Sequence, residues 1–488
     1  MFISLFSMVI LQYTVIVYLI LFLLGAVLGA LVNWYVDRYG WIERFRSPWR
    51  RSDKLQRVWF DFIPILGWFK LRRFGKNLHK LRESERAAGI DNKGFWIRPL
   101  FVELFAAIGL ILLYYWEVEQ AGLLPETNFS EPLETSIIRF AAHIFLFTLL
   151  LAASLTDLDD FIIPANLTII GTIGGIFIVT IFPQVLLPAT ELYLDNKNKS
   201  HNTVERLTPY PVPLHFCSPD KIEILRNYNL RNLQTKDSTP QVIKISDSNF
   251  DSNSNSSRMI FCNKKLCRES VIQFLLITFL WLFWCFAMMD RIWYFRLSFR
   301  RALLLFFRNL YRSSATKYWL ILSIFVPAAL FIVIFFTSFL DSVNCHYLLS
   351  ALIGLAAGMW LIWSVRLVAG FALGVEAMGF GDVILLGMIG VFAGWQSCIV
   401  IFFLAPFAGI IPSLIGMLLG HGRMIPYGPF LSFATLLLII FWAIIWRTME
   451  QILFQSSIQT AIAVQFLIIL LGAMLIGWKK IKEKIIHQ

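Results

Sequence analysis

The chain has 488 residues, of which 58% are hydrophobic, and its mean hydropathy is +0.68. This composition excludes an ordinary soluble globular protein and predicts an integral membrane protein. The formal net charge is +12 at pH 7, but the lysines and arginines are concentrated in a few segments between apolar stretches. That is the pattern of the positive-inside rule, so no nucleic-acid partner is expected.

Apolar windows of about 20 residues, long enough to cross a bilayer, recur along the whole chain. They predict an all-α fold, a polytopic transmembrane helix bundle with about ten or eleven spans. The window 383–418 is too long for one helix and is expected to fold into two helices, with the turn near residues 394–396. The windows lie at 8–34, 99–116, 137–156, 166–188, 271–289, 318–340, 347–371, 383–418, 429–446 and 456–478.

The apolar windows and the polar segments between them divide the chain into six regions. The first window has no small-residue cleavage site, so we expect it to be retained as an anchor. The regions are the first transmembrane helix (1–36), a basic cytoplasmic loop (37–98), transmembrane helices 2–4 (99–188), a polar, partly disordered extracytoplasmic insertion (189–270), two inserted spans with a basic cytoplasmic loop (271–340), and the remaining spans with the C-terminal tail (341–488).

Three aspartates follow the third predicted span, in the stretch ASLTDLDDFIIPANLT at 153–168. Ionisable groups at membrane depth are costly, so a carboxylate at the edge of a span is a candidate functional residue. A solvated cluster of loop charges is the alternative interpretation of Asp157, Asp159 and Asp160. The positive-inside rule places this junction on the cytoplasmic side.

A fourth candidate carboxylate, Asp382, ends the stretch GFGD at 379–382. We expect it in the first turn of the next helix, where the helix dipole favours a negative charge. Gly379 and Gly381 allow backbone conformations and close approaches that a side chain would prevent. The alternative is an ordinary helix cap after a glycine turn.

The assigned topology brings Asp157 and Asp382 to the same cytoplasmic face. Two neighbouring carboxylates share a proton, so that one can activate water while the other protonates the scissile carbonyl. This is the chemistry of an aspartic protease. The sequence has no metalloprotease or phosphate-loop motif that would indicate a different reaction.

These stretches resemble the motifs of the type IV prepilin peptidases, membrane aspartyl proteases of the GxGD class. In that family the first catalytic aspartate precedes a Leu/Ile-Pro step by seven residues, which, counted from Pro164, implies Asp157. GFGD is similar to the second motif and implies Asp382 as its partner, with Gly379 and Gly381 in support. IPYGPFL at 425–431 is similar to a third family motif.

Two further stretches resemble the part of the family that is associated with its second activity, N-methylation of the new N-terminus. They are GAVLGALVNWYVDR at 25–38 and IRPLFVEL at 97–104. The resemblance implies a group of candidate residues for methyl transfer: Gly29, Asn33, Arg38, Arg98 and Glu103.

The sequence departs from the family in the basic loop, which lacks the two C-x-x-C pairs that are thought to bind zinc. Zinc is therefore not expected, and the tryptophans of the loop are expected to hold it together. Ile384 also replaces a lysine that usually follows the second motif. Proteolysis needs no cofactor, whereas methyl transfer, where it is retained, implies S-adenosylmethionine.

The resemblance implies an inner-membrane, multi-pass aspartic endopeptidase that removes the leader of prepilin or pseudopilin substrates at the cytoplasmic face. Such substrates belong to type IV pili or type II secretion, and membrane lipid is the other expected partner. One alternative is a non-catalytic family member that serves as an assembly or scaffold subunit. The other is a transporter that uses the aspartates as ion ligands, which predicts more polar residues at mid-membrane depth than this sequence has.

Overall fold

A computed structural model describes most of the apolar part of the chain. The described residues are 2–39, 49, 62–69, 96–124, 129–130, 132–194, 203–209, 234–235, 264–289, 300–301, 304, 307–308, 313–336, 343–374, 378–418, 426–449 and 457–486. Most of the basic loop 37–98 and of the polar insertion 189–270 lies outside these ranges. The division of the chain into six regions therefore stays a prediction.

The described residues form twelve α-helices and four short strands. The helices are α1 (Phe2–Tyr39), α2 (Ile97–Tyr114), α3 (Leu133–Asp160), α4 (Ala165–Ile181), α5 (Lys264–Met288), α6 (Ser314–Phe336), α7 (Val343–Leu373), α8 (Phe380–Ala393), α9 (Trp395–Leu418), α10 (Gly428–Ile440), α11 (Trp442–Met449) and α12 (Ser457–Ile486). The strands are β1 (Phe129–Ser130), β2 (Pro188–Leu194), β3 (Thr203–Pro209) and β4 (Gln234–Thr235). They pair antiparallel in two small sheets, β1 with β4 and β2 with β3.

Several helices are long and apolar enough to cross a bilayer. Within the described ranges these are Thr14–Tyr39, Ile97–Glu119, Leu133–Asp160, Tyr347–Leu373 and Gln459–Gly477, and the bent pair α10–α11 would be a sixth span. Five shorter apolar helices accompany them: Ala165–Ile181, Ile272–Met288, Thr316–Ala329, Phe380–Ala393 and Trp395–Ile410. The predicted fold class, a helical multi-pass membrane protein, is confirmed, while the number of ten or eleven spans stays a prediction.

The structure corrects the ends of two predicted spans. Helix α3 continues to Asp160, so the three aspartates occupy its last turn instead of a following loop. The helix ends because Phe161 adopts a left-handed conformation with φ 56°, and its N–H donates to the Asp157 carbonyl. Helix α4 ends at Ile181, short of 188, because Phe182 precedes Pro183 and takes φ −120° and ψ 79°.

The predicted turn near 394–396 is confirmed, because α8 and α9 meet at Gly394, whose φ is 81°. The predicted span 429–446, in contrast, is not one straight helix, since α10 and α11 are bent by 80°. The Trp442 indole, fully buried, donates to the Pro188 carbonyl oxygen at 2.6 Å. This contact docks α11 against the segment that follows α4, and it accounts for the bend.

Helix α8 lies at the centre of the bundle, and its residues from Asp382 to Ala393 are all buried. It packs against α4, α7, α9 and α10. Its contact with α7 is very close, since a Cβ atom placed on Gly354 would lie 2.0 Å from the Gly390 carbonyl oxygen. Small residues permit such close packing of apolar helices, and the packing fixes the position of the end of α8 that carries Asp382.

Candidate active site

Asp157 and Asp382 lie at the same end of the bundle, where α3 ends and α8 begins. Both side chains are buried, with 5% and 7% of their surface exposed. The Gly428 N–H, at the start of α10, donates to Asp157 Oδ2 at 3.0 Å. The two carboxylates are close enough for their charges to interact, so the structure brings the predicted pair together.

Ile163 connects the surroundings of the two aspartates. A Cβ atom on Gly381 would lie 2.9 Å from Ile163 Cβ, and one on Gly428 would lie 2.9 Å from Ile163 Cδ1. Pro164 follows in an extended conformation and precedes the first residue of α4. Ile163 and Pro164 therefore place the beginning of α4 between the GFGD stretch and the stretch 425–431.

The two glycines of GFGD have different functions in the structure. Gly381 has no space for a side chain because of Ile163, whereas a Cβ on Gly379 would make an ordinary contact of 3.5 Å with Asp382 Oδ2. Gly379 contributes through its backbone, which donates a hydrogen bond to the Asp382 carboxylate. Charge-assisted bonds of this kind orient a carboxylate.

Tyr427 adds a hydroxyl group near Asp382. Its O–H donates to the Phe402 carbonyl oxygen at 3.3 Å. Burial raises the pKa of Tyr427 well above its usual value, and the negative charge of Asp382 acts in the same direction. Tyr427 therefore stays neutral at physiological pH and contributes a dipole, not a charge, to the site.

Asn33 and Glu103 meet at a second place, in the contact between α1 and α2. Glu103 is fully buried and accepts hydrogen bonds from Asn33 Nδ2 at 3.2 Å, Trp68 Nε1 at 2.8 Å and the Ile65 N–H at 2.6 Å. Gly29 allows α1 to approach, since a Cβ atom there would lie 2.6 Å from Glu103 Cα. Three of the methyl-transfer candidates, Gly29, Asn33 and Glu103, thus lie in one contact between α1 and α2. Glu103 also binds Ile65 and Trp68 of the basic loop.

The two arginines predicted beside them are elsewhere. Arg98, in the first turn of α2, forms an ion pair with Asp159 in the last turn of α3. Arg38 is exposed in the last turn of α1. Arg98 therefore belongs to the end of the bundle that carries Asp157, and not to the cluster around Glu103.

Sequence reasoning did not single out Gly428, Tyr427 and Ile163 as residues of the site. The stretch IPYGPFL was noted as a motif, but its contact with Asp157 spans 271 residues of chain. Only a signal that couples distant positions would have revealed it. In the part of the chain that the structure describes, no group of three or more His, Cys, Asp or Glu residues could hold a metal ion.

An apolar groove of about 270 Å³ adjoins the site. It lies between α1, α2, α3 and α10. It begins at Ser154, Pro429 and Ser432, which are close in sequence to Asp157 at the end of α3 and to Gly428 at the start of α10. From there it follows α10 as far as Leu436 and α2 as far as Leu113, and its other lining residues are Leu28, Val32, Phe105, Ala106, Gly109, Leu110, Ile144, Phe147, Thr148, Leu150, Leu151 and Phe433.

Residues 315–414, which include α7, α8 and Asp382, match the type IV leader peptidase family. The matched segment also includes most of α6, which the sequence analysis counted as an inserted span. It ends before the stretch 425–431 and does not reach Asp157.

Curated relatives with the name prepilin leader peptidase/N-methyltransferase resemble part of the chain. The protein from Pseudomonas aeruginosa is 35% identical over 111 residues, which cover 21% of this chain and 36% of the relative. The protein from Aeromonas salmonicida is 35% identical over 88 residues, 17% of this chain and 30% of the relative. The chain thus spans about a third of the length of these relatives, and no solved structure matches it.

Proposed function

We propose that this chain, which carries a type IV leader peptidase family domain, is a membrane aspartic endopeptidase that cleaves the leader of prepilin-like or pseudopilin-like proteins. The matched segment contains the GFGD motif, and it supports the resemblance that this motif indicated. The observation that carries the proposal is the buried pair of Asp157 and Asp382, drawn from two helices and held by backbone N–H groups. Burying two carboxylates is costly, and a non-catalytic scaffold subunit gains nothing from that cost.

The pair can cleave a peptide bond without a metal or cofactor. One carboxylate removes a proton from water as the water oxygen attacks the scissile carbonyl carbon, and the protonated partner donates its proton to the carbonyl oxygen. The tetrahedral intermediate then collapses and the C–N bond breaks. The carboxyl group that took the proton from water donates it to the leaving nitrogen, while a hydroxyl group of the intermediate returns a proton to the other carboxylate and the carboxyl product forms. Gly428 orients Asp157 and Gly379 orients Asp382 for these steps.

We assign the pair to the cytoplasmic face of the inner membrane because the basic segments of the sequence favour that orientation. A prepilin-type substrate has a short basic leader and an apolar segment. The groove between α1, α2, α3 and α10 supports a substrate of this kind, since it gives the apolar segment a place beside the carboxylates.

We propose no methyl-transfer step for Glu103. Its two oxygens already accept three hydrogen bonds, and its side chain has no exposed surface for a substrate or a methyl donor. The transporter alternative gains no support from the buried carboxylates Glu103 and Glu117, because each is hydrogen-bonded to a neighbouring side chain.

The test is leader cleavage of a co-expressed prepilin-type substrate in membranes, followed by gel mobility. We expect Asp157→Asn and Asp382→Asn to lower the rate on the order of a thousandfold or more, since each removes one half of the acid–base pair. Asp160→Asn is the matched control, because it lies in the same helical turn as Asp157. Asp159 is less suitable, since it pairs with Arg98.

Two outcomes would contradict the proposal. Unchanged cleavage by both aspartate variants would show that the carboxylates are not catalytic. No cleavage by the parent chain, with a substrate that another prepilin peptidase cleaves, would favour the non-catalytic alternative.

A further inference from the structure

Arg366 is the only charged residue between 347 and 373, the span formed by α7. Its side chain is partly buried. A charge inside an apolar span is costly unless a charge of opposite sign or a polar group stabilises it. The surroundings of Arg366 must therefore stabilise a positive charge inside the bundle.

The packing of α7 against α8 shows which part of α8 lies opposite Arg366. A Cβ on Gly354 would lie 2.0 Å from the Gly390 carbonyl oxygen, and one on Gly358 would lie 2.5 Å from the Leu386 carbonyl oxygen. Four residues forward along α7 thus correspond to four residues back along α8, as in an antiparallel pair. Two further turns place Arg366 opposite Met378, directly before GFGD.

A contact between the two elements agrees with this register. The guanidinium carbon of Arg366 lies 6.0 Å from the centre of the Phe380 ring, at the limit of a cation–π interaction. Phe380 is in the first turn of α8, two residues before Asp382. The positive charge is thereby held beside the helix end that presents the carboxylate.

Among the described residues, the other elements packed around Asp382 supply no positive charge to it. Asp157 from α3 is acidic, Tyr427 before α10 is neutral, and Ile163, in the segment before α4, is apolar. Within α8 itself, Ile384 is buried and apolar. Of the described groups that act electrostatically on Asp382, Arg366 is the cation.

We propose that Arg366 is a positioning residue which supplies, from α7, the positive charge that offsets the single negative charge of the Asp157–Asp382 pair. With this charge in place the buried pair can hold one proton, the state that acid–base cleavage requires. Without it, the pair binds a second proton more readily, because a nearby positive charge that favours the ionised form has been removed. The activity part of this proposal rests on the proposed function.

The first test is the pH profile of leader cleavage in membranes for Arg366→Met, Arg366→Lys and the parent chain. We expect Arg366→Met to shift the profile about one pH unit towards higher pH, whereas Arg366→Lys keeps the profile close to that of the parent. Lys479→Met is the control, because Lys479 is an exposed cation whose Nζ lies near Gly374, just after α7. An unshifted profile for Arg366→Met, or an equal shift for Arg366→Lys, would overturn the proposal.

The second test does not depend on cleavage. Thermal unfolding of the purified protein in detergent is compared for Arg366→Met, Asp382→Asn and the double variant. If the two groups stabilise each other, the decrease in unfolding temperature of the double variant is smaller than the sum of the decreases of the two single variants. Additive losses would overturn the proposal. If the losses are not additive but the parent chain cleaves no substrate, the interaction between Arg366 and Asp382 stands and only the proposed function is refuted.

Discussion

At the scale of single residues, the site depends on how closely backbones approach one another. Gly428 lies against Asp157, and Gly381 lies against Ile163. A glycine in such a place is needed for space, not for an unusual backbone angle, since Gly379, Gly381 and Gly428 all lack a positive φ. Gly379 differs because its contribution is a hydrogen bond that any residue's backbone can donate.

Gly428→Ala tests this dependence. The new Cβ would lie 2.6 Å from Asp157 Oδ2 and 2.9 Å from Ile163 Cδ1, so the carboxylate must move. If Asp157 is catalytic, as proposed, its displacement is expected to lower the rate on the order of a hundredfold. The measurement is the cleavage rate of the prepilin-type substrate.

Gly477→Ala is the control for that measurement, because a Cβ at Gly477 meets no atom within 4 Å. It is expected to cleave like the parent chain. Normal cleavage by Gly428→Ala would show that the contact with Asp157 is not important for catalysis.

At the scale of elements, Glu103 joins α1, α2 and the described part of the basic loop. Trp68, fully buried, donates to Glu103 from the short segment 62–69, and Trp49 donates to the Phe62 carbonyl oxygen at 2.9 Å. The expectation that tryptophans hold the loop together agrees with these two contacts. Arg98, on the same helix as Glu103, then connects α2 to the turn that carries Asp157.

Glu103→Ala is expected to destabilise this junction. It leaves the Trp68 indole and the Ile65 N–H without their acceptor, whereas the Asn33 amide keeps the Pro99 carbonyl oxygen. Each unsatisfied buried group costs about 1–3 kcal/mol. The unfolding temperature in detergent should fall by several degrees. Glu134→Gln, an exposed acid in the first turn of α3, is the control, and an equal effect of both changes would contradict the assigned role.

At the scale of the whole molecule, four helices that are distant in sequence enclose the groove beside the site. Gly109, on α2, lines the groove, and a Cβ atom at this position would meet no atom within 4 Å. A larger side chain can therefore enter the groove without displacing the helices around it. If the groove binds the substrate, as proposed, a substitution at Gly109 changes substrate binding without altering the two aspartates.

Gly109→Phe is expected to fill part of the groove and exclude the apolar segment of the substrate. We expect cleavage to fall about tenfold or more through weaker substrate binding, while the unfolding temperature changes little. Cleavage rates at several substrate levels measure the effect, and Gly477→Phe is the control. A normal rate for Gly109→Phe would place the substrate segment elsewhere.

The sequence by itself determined the membrane class and the helical fold, and it indicated the two aspartates as candidates, because apolar length and charged residues in apolar surroundings are local properties. It misplaced the end of α3 and the straightness of the span 429–446, since a backbone angle at Phe161 and the docking of Trp442 decided them. Only the tertiary structure decided that Gly428, Ile163 and Arg366 surround the carboxylates. These contacts join residues far apart in the chain, and their cause is the packing of α4, α7 and α10 around α8 and of α3 against α4 and α10.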